Sequence, residues 1–187
     1  MRLTPPGHGS RANPTDPRIM MAGPLSHLAT ATHIFCPIND NTDIMRAEGG
    51  THWSLLVVGV QDRIAFHYDS LNTANAYPAA AVHRQLERIL GFPLQFANLS
   101  DTPQQDNSFD CGVHVCWAMR HLLVRRLLVV ERQKEVDMSL GSKHLNAAKI
   151  RREMYRICEA LRKKASRRCA RSLRFLPREG RANRHLV

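Results

Sequence analysis

A chain of mixed helices and strands is predicted by three observations. Two apolar-rich runs, His52 to Val60 and Arg63 to Leu71, meet at a polar turn; three later segments repeat apolar residues at helical spacing; and Gly, Pro and Asn clusters punctuate the chain between them. The 187 residues are 43% hydrophobic and 23% charged, ordinary globular proportions with room for one domain.

The elements follow in order. Residues 1–31 carry five of the ten prolines (Pro5, Pro6, Pro14, Pro17, Pro24) and no apolar periodicity, so a disordered or atypical N-terminal segment is expected. His33 to Ile38 reads as a strand that ends in the turn Asn39-Asp40-Asn41. Gly49-Gly50 opens the strand His52 to Val60, and Arg63 to Leu71 is its partner. After Tyr77-Pro78, a helix from Ala79 to Leu90 is predicted by Val82, Leu86, Ile89 and Leu90, with Gly91 as its stop. Leu94 to Leu99 is a further strand. The polar loop Ser100 to Asp110 then feeds a helix from about Gly112 to Val129, whose first half is apolar all round and is expected to be buried, Cys116 included. Ile150, Met154, Ile157 and Leu161 predict an amphipathic helix over 146–166. The expected folded domain is 32–166, and 167–187 is read as a basic disordered tail.

The net charge of +11 is local. From Lys143 to Val187 there are 15 Lys and Arg against Glu153, Glu159 and Glu179, whereas the rest of the chain holds 12 basic and 13 acidic residues. Arg162-Lys163-Lys164 and Arg167-Arg168 look like a nuclear-targeting or nucleic-acid patch, but a solvated helix end is the plainer reading, and Phe175 is the one aromatic near those charges available for base stacking. Nucleic acid is thus a partner only through this tail, if at all. The longest apolar run near the centre, Leu55 to Val60, is far short of the roughly 20 residues a membrane span needs. The N-terminus lacks a signal-peptide apolar stretch, and five cysteines make an odd count. Reduced thiols in the cytoplasm or nucleus, not secretion, are expected.

The hairpin places a histidine beside an aspartate. If Gln61-Asp62 forms the turn, Val58 faces Ala65, Leu56 faces His67 and Ser54 faces Asp69. Alternation then puts Leu55, Val57, Ile64, Phe66 and Tyr68 on one face, and His52, Ser54, Leu56, Val58, Ala65, His67 and Asp69 on the other. His52 and Asp69 become diagonal neighbours, so the carboxylate could hold one ring nitrogen and leave the other to act as a base. Gln-Asp is not a favoured two-residue turn; a four-residue loop keeps the parity and a three-residue loop breaks it. A His–Asp pair across a hairpin is more often a surface hydrogen bond, and His67 competes as the base.

The run Gln104-Gln105-Asp106-Asn107-Ser108-Phe109-Asp110-Cys111-Gly112 leads from the polar loop into the apolar helix, with Asp110 or Ser108 as plausible cap. Unpaired amides and the dipole at a helix start stabilise a thiolate, the nucleophilic form of Cys111. Gly112 leaves room for a substrate carbonyl, and the Cys111 amide with a side-chain amide of the preceding loop could form an oxyanion hole. Cys36, Cys158 and Cys169 read, like Cys116, as small buried hydrophobes. Cys111, His114 and Cys116 lack zinc-ligand spacing, so no metal and no cofactor are expected.

His52-Trp53-Ser54-Leu55-Leu56-Val57, Phe66-His67-Tyr68-Asp69-Ser70 and the run from Gln104 to Gly112 resemble the ubiquitin-like-protein-specific cysteine proteases, the deSUMOylase and deneddylase type, in the order His, Asp, Gln, Cys. Asn39-Asp40-Asn41 followed by Gly49-Gly50-Thr51-His52-Trp53-Ser54 is most similar to the branch that removes the Nedd-type modifier from cullins. The resemblance covers about residues 32 to 165. It implies an α+β fold, papain-like with the catalytic order rearranged and a central mixed sheet packed on the nucleophile's helix. It implies Cys111 as nucleophile, His52 as general base and then acid, Asp69 as the residue orienting it and Gln105 as oxyanion donor. Trp53 would roof a narrow tunnel for the modifier's Gly-Gly tail, passable because glycine has no side chain. The expected activity is that of a cysteine-type isopeptidase cleaving after Gly-Gly of a ubiquitin-like modifier, most similar to a deneddylase; the alternatives are a SUMO-specific protease and an inactive, truncated modifier-binding module. The family's N-terminal segment, with its Trp-Leu-Asn-Asp type motif and a second tunnel tryptophan, has no counterpart in residues 1–30. Parts of the sheet and of the helix at 112–129 are then expected to be uncovered.

Overall fold

The hairpin forms in the register that hydrophobic parity demands. β2 (Trp53–Gly59) and β3 (Ile64–Tyr68) run antiparallel, with Val58 opposite Ala65 and Leu56 opposite His67. Their connection is the four-residue loop Val60 to Arg63, closed by Arg63 in the left-handed conformation at φ 56°. β1 (His33–Asn39) pairs antiparallel with β2 along its whole length, from His33 opposite Gly59 to Asn39 opposite Trp53. β4 (Gln95–Asn98) lies parallel to β3, which requires a crossover, and α1 (Ala76–Leu90) supplies it. The strand order is β1-β2-β3-β4. The structure, a computed structural model, describes residues 28, 31–43, 45–46, 48–129 and 136–174. Nearly all of the expected N-terminal segment, and everything past 174, lies outside the described residues.

α1 starts three residues before Ala79 because Pro78 falls in the first turn, where a missing N–H costs nothing. It ends at Gly91, whose φ of 81° suits glycine and whose N–H donates to the Glu87 carbonyl. The sheet is covered on both faces, which is why Leu55, Leu56, Val57 and Val58 are all fully buried and read as one apolar run rather than an alternating one. Leu56, Val58, Ala65 and Ile38 pack with Ala79 and Leu86 of α1 and with Leu94. On the opposite face, Leu55, Val57 and Tyr68 pack with Val115, Ala118 and Leu122 of α2 (Cys111–Leu122) and with Met138 and Leu140. Each fully buried Leu, Val or Ile among them contributes roughly 1.5–3 kcal/mol by leaving water. The architecture is an α+β fold, a mixed sheet packed on the helix that begins at Cys111.

Two expectations about α2 are corrected. The helix is not buried all round: its sheet-facing side carries Cys111, Val115, Ala118 and Leu122, and Cys116 lies on the other side, exposed. Apolar composition reports how much could be covered, whereas packing decides which side is. α2 also gives way after Leu122 to a π-helical turn, Leu123–Leu127, and Leu123, Val124, Leu128 and Val129 are 41–70% exposed. Apolar exposure is thus found at 123–129, whereas the sheet, also expected to be partly uncovered, is packed on both faces.

The chain divides into two compact units, residues 1–145 and 146–187. The second contains α3 (Ala147–Arg174), which runs past the expected end at 166 because Ala, Arg, Ser and Leu sustain a helix and no Gly or Pro intervenes. Cys158, expected buried, is exposed on it, and Cys36 in β1 is half-buried. Among the described residues no helix is long and apolar enough to cross a membrane.

Candidate active site

His52 directly precedes β2 and Asp69 directly follows β3. Antiparallel strands bring those two points to the same end of the sheet, and the diagonal relation closes into a hydrogen bond: His52 Nε2 lies 2.6 Å from Asp69 Oδ1, both residues being 4% exposed. Asp69 Oδ1 also accepts from the Leu71 amide at 2.9 Å, and Oδ2 from the Asn75 amide at 2.8 Å. Burial alone would raise the Asp69 pKa, but the Asn75 amide, the His52 ring and the Leu71 amide outweigh it and hold the carboxyl below its ordinary value. An ionised Asp69 makes Nε2 the proton-bearing nitrogen of a neutral His52. Nδ1 is then the acceptor, and it has no hydrogen-bond partner among the described residues.

His67, the competing base, is excluded by its surroundings. It is fully buried, its Nδ1 lies 2.6 Å from Asn98 Oδ1 and its Nε2 2.9 Å from Ser54 Oγ. With both nitrogens engaged, burial lowers its pKa and the ring has no route to a substrate. His67 and Ser54 form a diagonal pair like His52 and Asp69, but one step further inside the sheet.

The loop after β4 is tied to the Asp69 corner. Gln104 Nε2 donates to the Asp69 carbonyl at 3.0 Å, and Gln104 Oε1 accepts from the Asn72 amide at 2.8 Å. Gln105 N donates to the Ser70 carbonyl at 2.9 Å. The Gln105 side chain accepts from Ser70 Oγ at 2.7 Å and donates through Nε2 to the Asn107 carbonyl at 2.6 Å. A carbonyl can only accept, so the amide orientation is set, and one Nε2 proton is left for another acceptor.

The same loop delivers Cys111 as the first residue of α2, 7% exposed. The first helical bond runs from His114 N to the Asp110 carbonyl, so the amides of Cys111, Gly112 and Val113 have no intrahelical partner. Asp110 occupies the cap position without a side-chain cap bond; its Oδ2 accepts from Asn107 Nδ2 at 2.8 Å instead. Neither it nor Ser108 is the expected side-chain cap, which leaves the helix start open to a developing anion. A Cβ built on Gly112 meets nothing within 4 Å, so there is open space at the residue next to Cys111. The thiol makes no hydrogen bond to His52; the fold brings together His52 with Asp69, and Gln105 with Ser70, by direct contact. Trp53, 44% exposed at the head of β2, lines a pocket with Ser70, Pro103, His114 and Trp117. Two residues with no assigned role in the sequence reading, Asp40 and Asn75, also converge on His52. Among the described residues, no group of three His, Cys, Asp or Glu could hold a metal ion.

A carboxylate-held imidazole and a cysteine opening a sheet-packed helix are the parts of a thiol-nucleophile site. The chain belongs to the Ulp1 protease family: the family's C-terminal catalytic domain matches residues 25–163. It is 35% identical over 131 residues to NEDD8-specific protease 2 of Schizosaccharomyces pombe (70% of this chain, 31% of that protein) and 32% identical over 143 residues to probable sentrin-specific protease 8 of Dictyostelium discoideum (73% and 58%). Sentrin-specific protease 8 of Homo sapiens is 44% identical over 85 residues, 44% of this chain and 39% of that protein. The chain thus spans from about a third to just over half the length of these relatives. Among solved structures, the Xanthomonas campestris effector protein XopD bound to ubiquitin shares the fold, with a TM-score of 0.56, 23% identity, and coverage of 79% of this chain and 71% of that one.

Proposed function

We propose that this chain is a cysteine-type isopeptidase that cleaves after the C-terminal Gly-Gly of a ubiquitin-like modifier, with the Nedd-type modifier as its substrate. The observation that carries the proposal is the buried 2.6 Å bond between His52 Nε2 and Asp69, which leaves Nδ1 open at the sheet end to which the Gln104-Gln105 loop is tied. Cys111 transfers its proton to Nδ1 and its sulfur attacks the terminal glycine carbonyl. The carbonyl electrons move onto oxygen, where Gln105 Nε2 and the Cys111 amide donate. Collapse breaks the C–N bond, and His52 hands its proton to the departing lysine amine. Water, deprotonated by His52, then hydrolyses the thioester and restores the thiol. Trp53 covers the Gly-Gly tail beside the pocket it lines. The chemistry needs a reduced thiol and fits a cytoplasmic or nuclear setting.

The modifier preference rests on the relative whose name specifies NEDD8, together with the Asn39-Asp40-Asn41 and Gly49-Gly50-Thr51-His52-Trp53-Ser54 segments. SUMO is the competing substrate. An inactive module finds no support, since His52, Asp69, Gln105 and Cys111 are all present. The test uses Nedd-type and SUMO modifiers carrying a C-terminal electrophile. The expected result is a covalent adduct on Cys111 with the first, absent in Cys111→Ala. An adduct with SUMO alone overturns the modifier preference, and no adduct with either overturns the enzyme.

A further inference from the structure

We infer that Asp40 and Asn75 are positioning residues of the acid–base histidine: they hold the His52 peptide while Asp69 holds its ring. The inference rests on the role of His52 proposed above. Asp40 Oδ1 accepts from the Thr51 amide at 2.6 Å and the His52 amide at 3.0 Å, and Oδ2 accepts from Thr51 Oγ1 at 2.7 Å. The His52 carbonyl accepts from three donors: the Asp40 amide at 3.3 Å, Asn39 Nδ2 at 3.2 Å and Asn75 Nδ2 at 3.3 Å. Both polar atoms of the His52 backbone are therefore committed.

Asn75 links the two halves of the pair. Its amide N–H donates to Asp69 Oδ2, while its side chain reaches the His52 carbonyl and, at 3.3 Å, the Ile38 carbonyl of β1. It is 1% exposed, and its Oδ1 is buried without a hydrogen-bond partner. An alanine there would remove that unfavourable orphan, but also the amide that grips His52. The site thus keeps a costly side chain at the point where it touches the histidine.

Gly50 completes the clasp. At φ +82°, a Cβ would stand 2.2 Å from Asn39 Oδ1 and 2.6 Å from Asp40 Oδ1. Gly50 thereby lies tight against the Asn39 and Asp40 side chains, both of which bond the His52 backbone. The Asp40 carboxyl is partly desolvated, yet bonds from the His52 amide and from Thr51 bring its pKa down to about 2, so it stays an acceptor at any working pH. Pinning the peptide matters because Asp69 fixes one ring nitrogen and leaves the ring free to pivot about it. A displacement of about 1 Å at the base costs about 100-fold in rate.

The test compares Asp40→Ala, Asp40→Asn, Asp40→Glu and Asn75→Ala in the full chain, with a modifier–fluorophore substrate and the low-field proton NMR signal of the His52 Nε2–H bond. Asp40→Ala and Asn75→Ala are expected to lose about 10- to 100-fold in kcat, with KM within about threefold of wild type. Asp40→Asn recovers most of the loss, because its amide oxygen still accepts both backbone N–H groups. Asp40→Glu, with the charge kept but displaced by a methylene, does not. The low-field signal broadens or vanishes in the alanine variants. Wild-type kcat and an unchanged signal in Asp40→Ala overturn the inference, as does an Asp40→Glu that equals Asp40→Asn. If Asp40→Ala does not fold, the Asn and Glu variants decide alone. If the wild type itself turns over no modifier, the proposed function fails, and the NMR signal still shows whether Asp40 and Asn75 hold the pair.

Discussion

Replacing Asp69 with asparagine changes one oxygen to NH₂ and leaves the shape intact, so the structure predicts its effect closely. The wild-type carboxylate accepts three hydrogen bonds, two at Oδ1 and one at Oδ2. An amide offers one oxygen. If that oxygen faces His52 and Leu71, its NH₂ confronts the Asn75 N–H, donor against donor. If it faces Asn75, the NH₂ confronts His52 Nε2 and forces the proton onto Nδ1, the nitrogen that should receive the thiol proton. Either orientation loses at least one charge-assisted bond, about 2 kcal/mol of stability. In the proposed mechanism the second also removes the general base, a loss of about 100- to 10,000-fold in kcat. The assays are urea unfolding and turnover of a modifier–fluorophore substrate, with pH as a second axis. Because the folded Asp69 pKa is depressed, its stabilisation is complete above the unfolded value near 4 and is lost as pH falls through the lower folded value. Asp69's own contribution to the stability gap between wild type and Asp69→Asn is therefore whole at neutral pH and is lost in stronger acid. A variant within about threefold of wild-type kcat refutes the assignment of Asp69 as the residue that sets the tautomer.

Two other outcomes are expected. Gln105→Ala costs about 100-fold in kcat with KM little changed, because the proposed donor acts only on the developing oxyanion; a change confined to KM would instead assign Gln105 to substrate binding. His67, buried with both nitrogens engaged, stays neutral in the folded state at pH values where the unfolded chain takes up a proton. Its contribution to stability is whole above about pH 6.5 and is lost as pH falls below it. His67→Gln should flatten the stability profile between about pH 6.5 and 5, and an unchanged slope there would assign the acid sensitivity to other groups.

The His52–Asp69 pair was legible in one dimension because it flanks two strands with a strict period. A strand alternates every residue, so the apolar set Leu55, Val57, Phe66 and Tyr68 dictates the hairpin register, and the register dictates that His52 meets Asp69. Cys111 was placed by the step from a polar loop to a long apolar run. Parity could not choose between His52 and His67, which share a face. Position along the sheet makes that choice: His67 sits within β3, with Asn98 on one side and Ser54 on the other, while His52 lies past the strand end, where one ring nitrogen remains open.

Asp40 and Asn75 could not be read in this way. Asn39-Asp40-Asn41 looked like a turn after a strand, and Asn75 belonged to no motif. Their hydrogen bonds to His52 span 12 and 23 residues of chain, across an irregular loop and a corner that have no period from which a partner could be counted. The exposure of Cys116 has a related cause: a helix rich in apolar residues on every side turns inward whichever side its neighbours cover. Local patterning determined the strands, their pairing and the chemical types at the site. The open face of α2 and the residues that grip the histidine's peptide were settled by packing, because they depend on contacts between segments whose separation no local rule encodes.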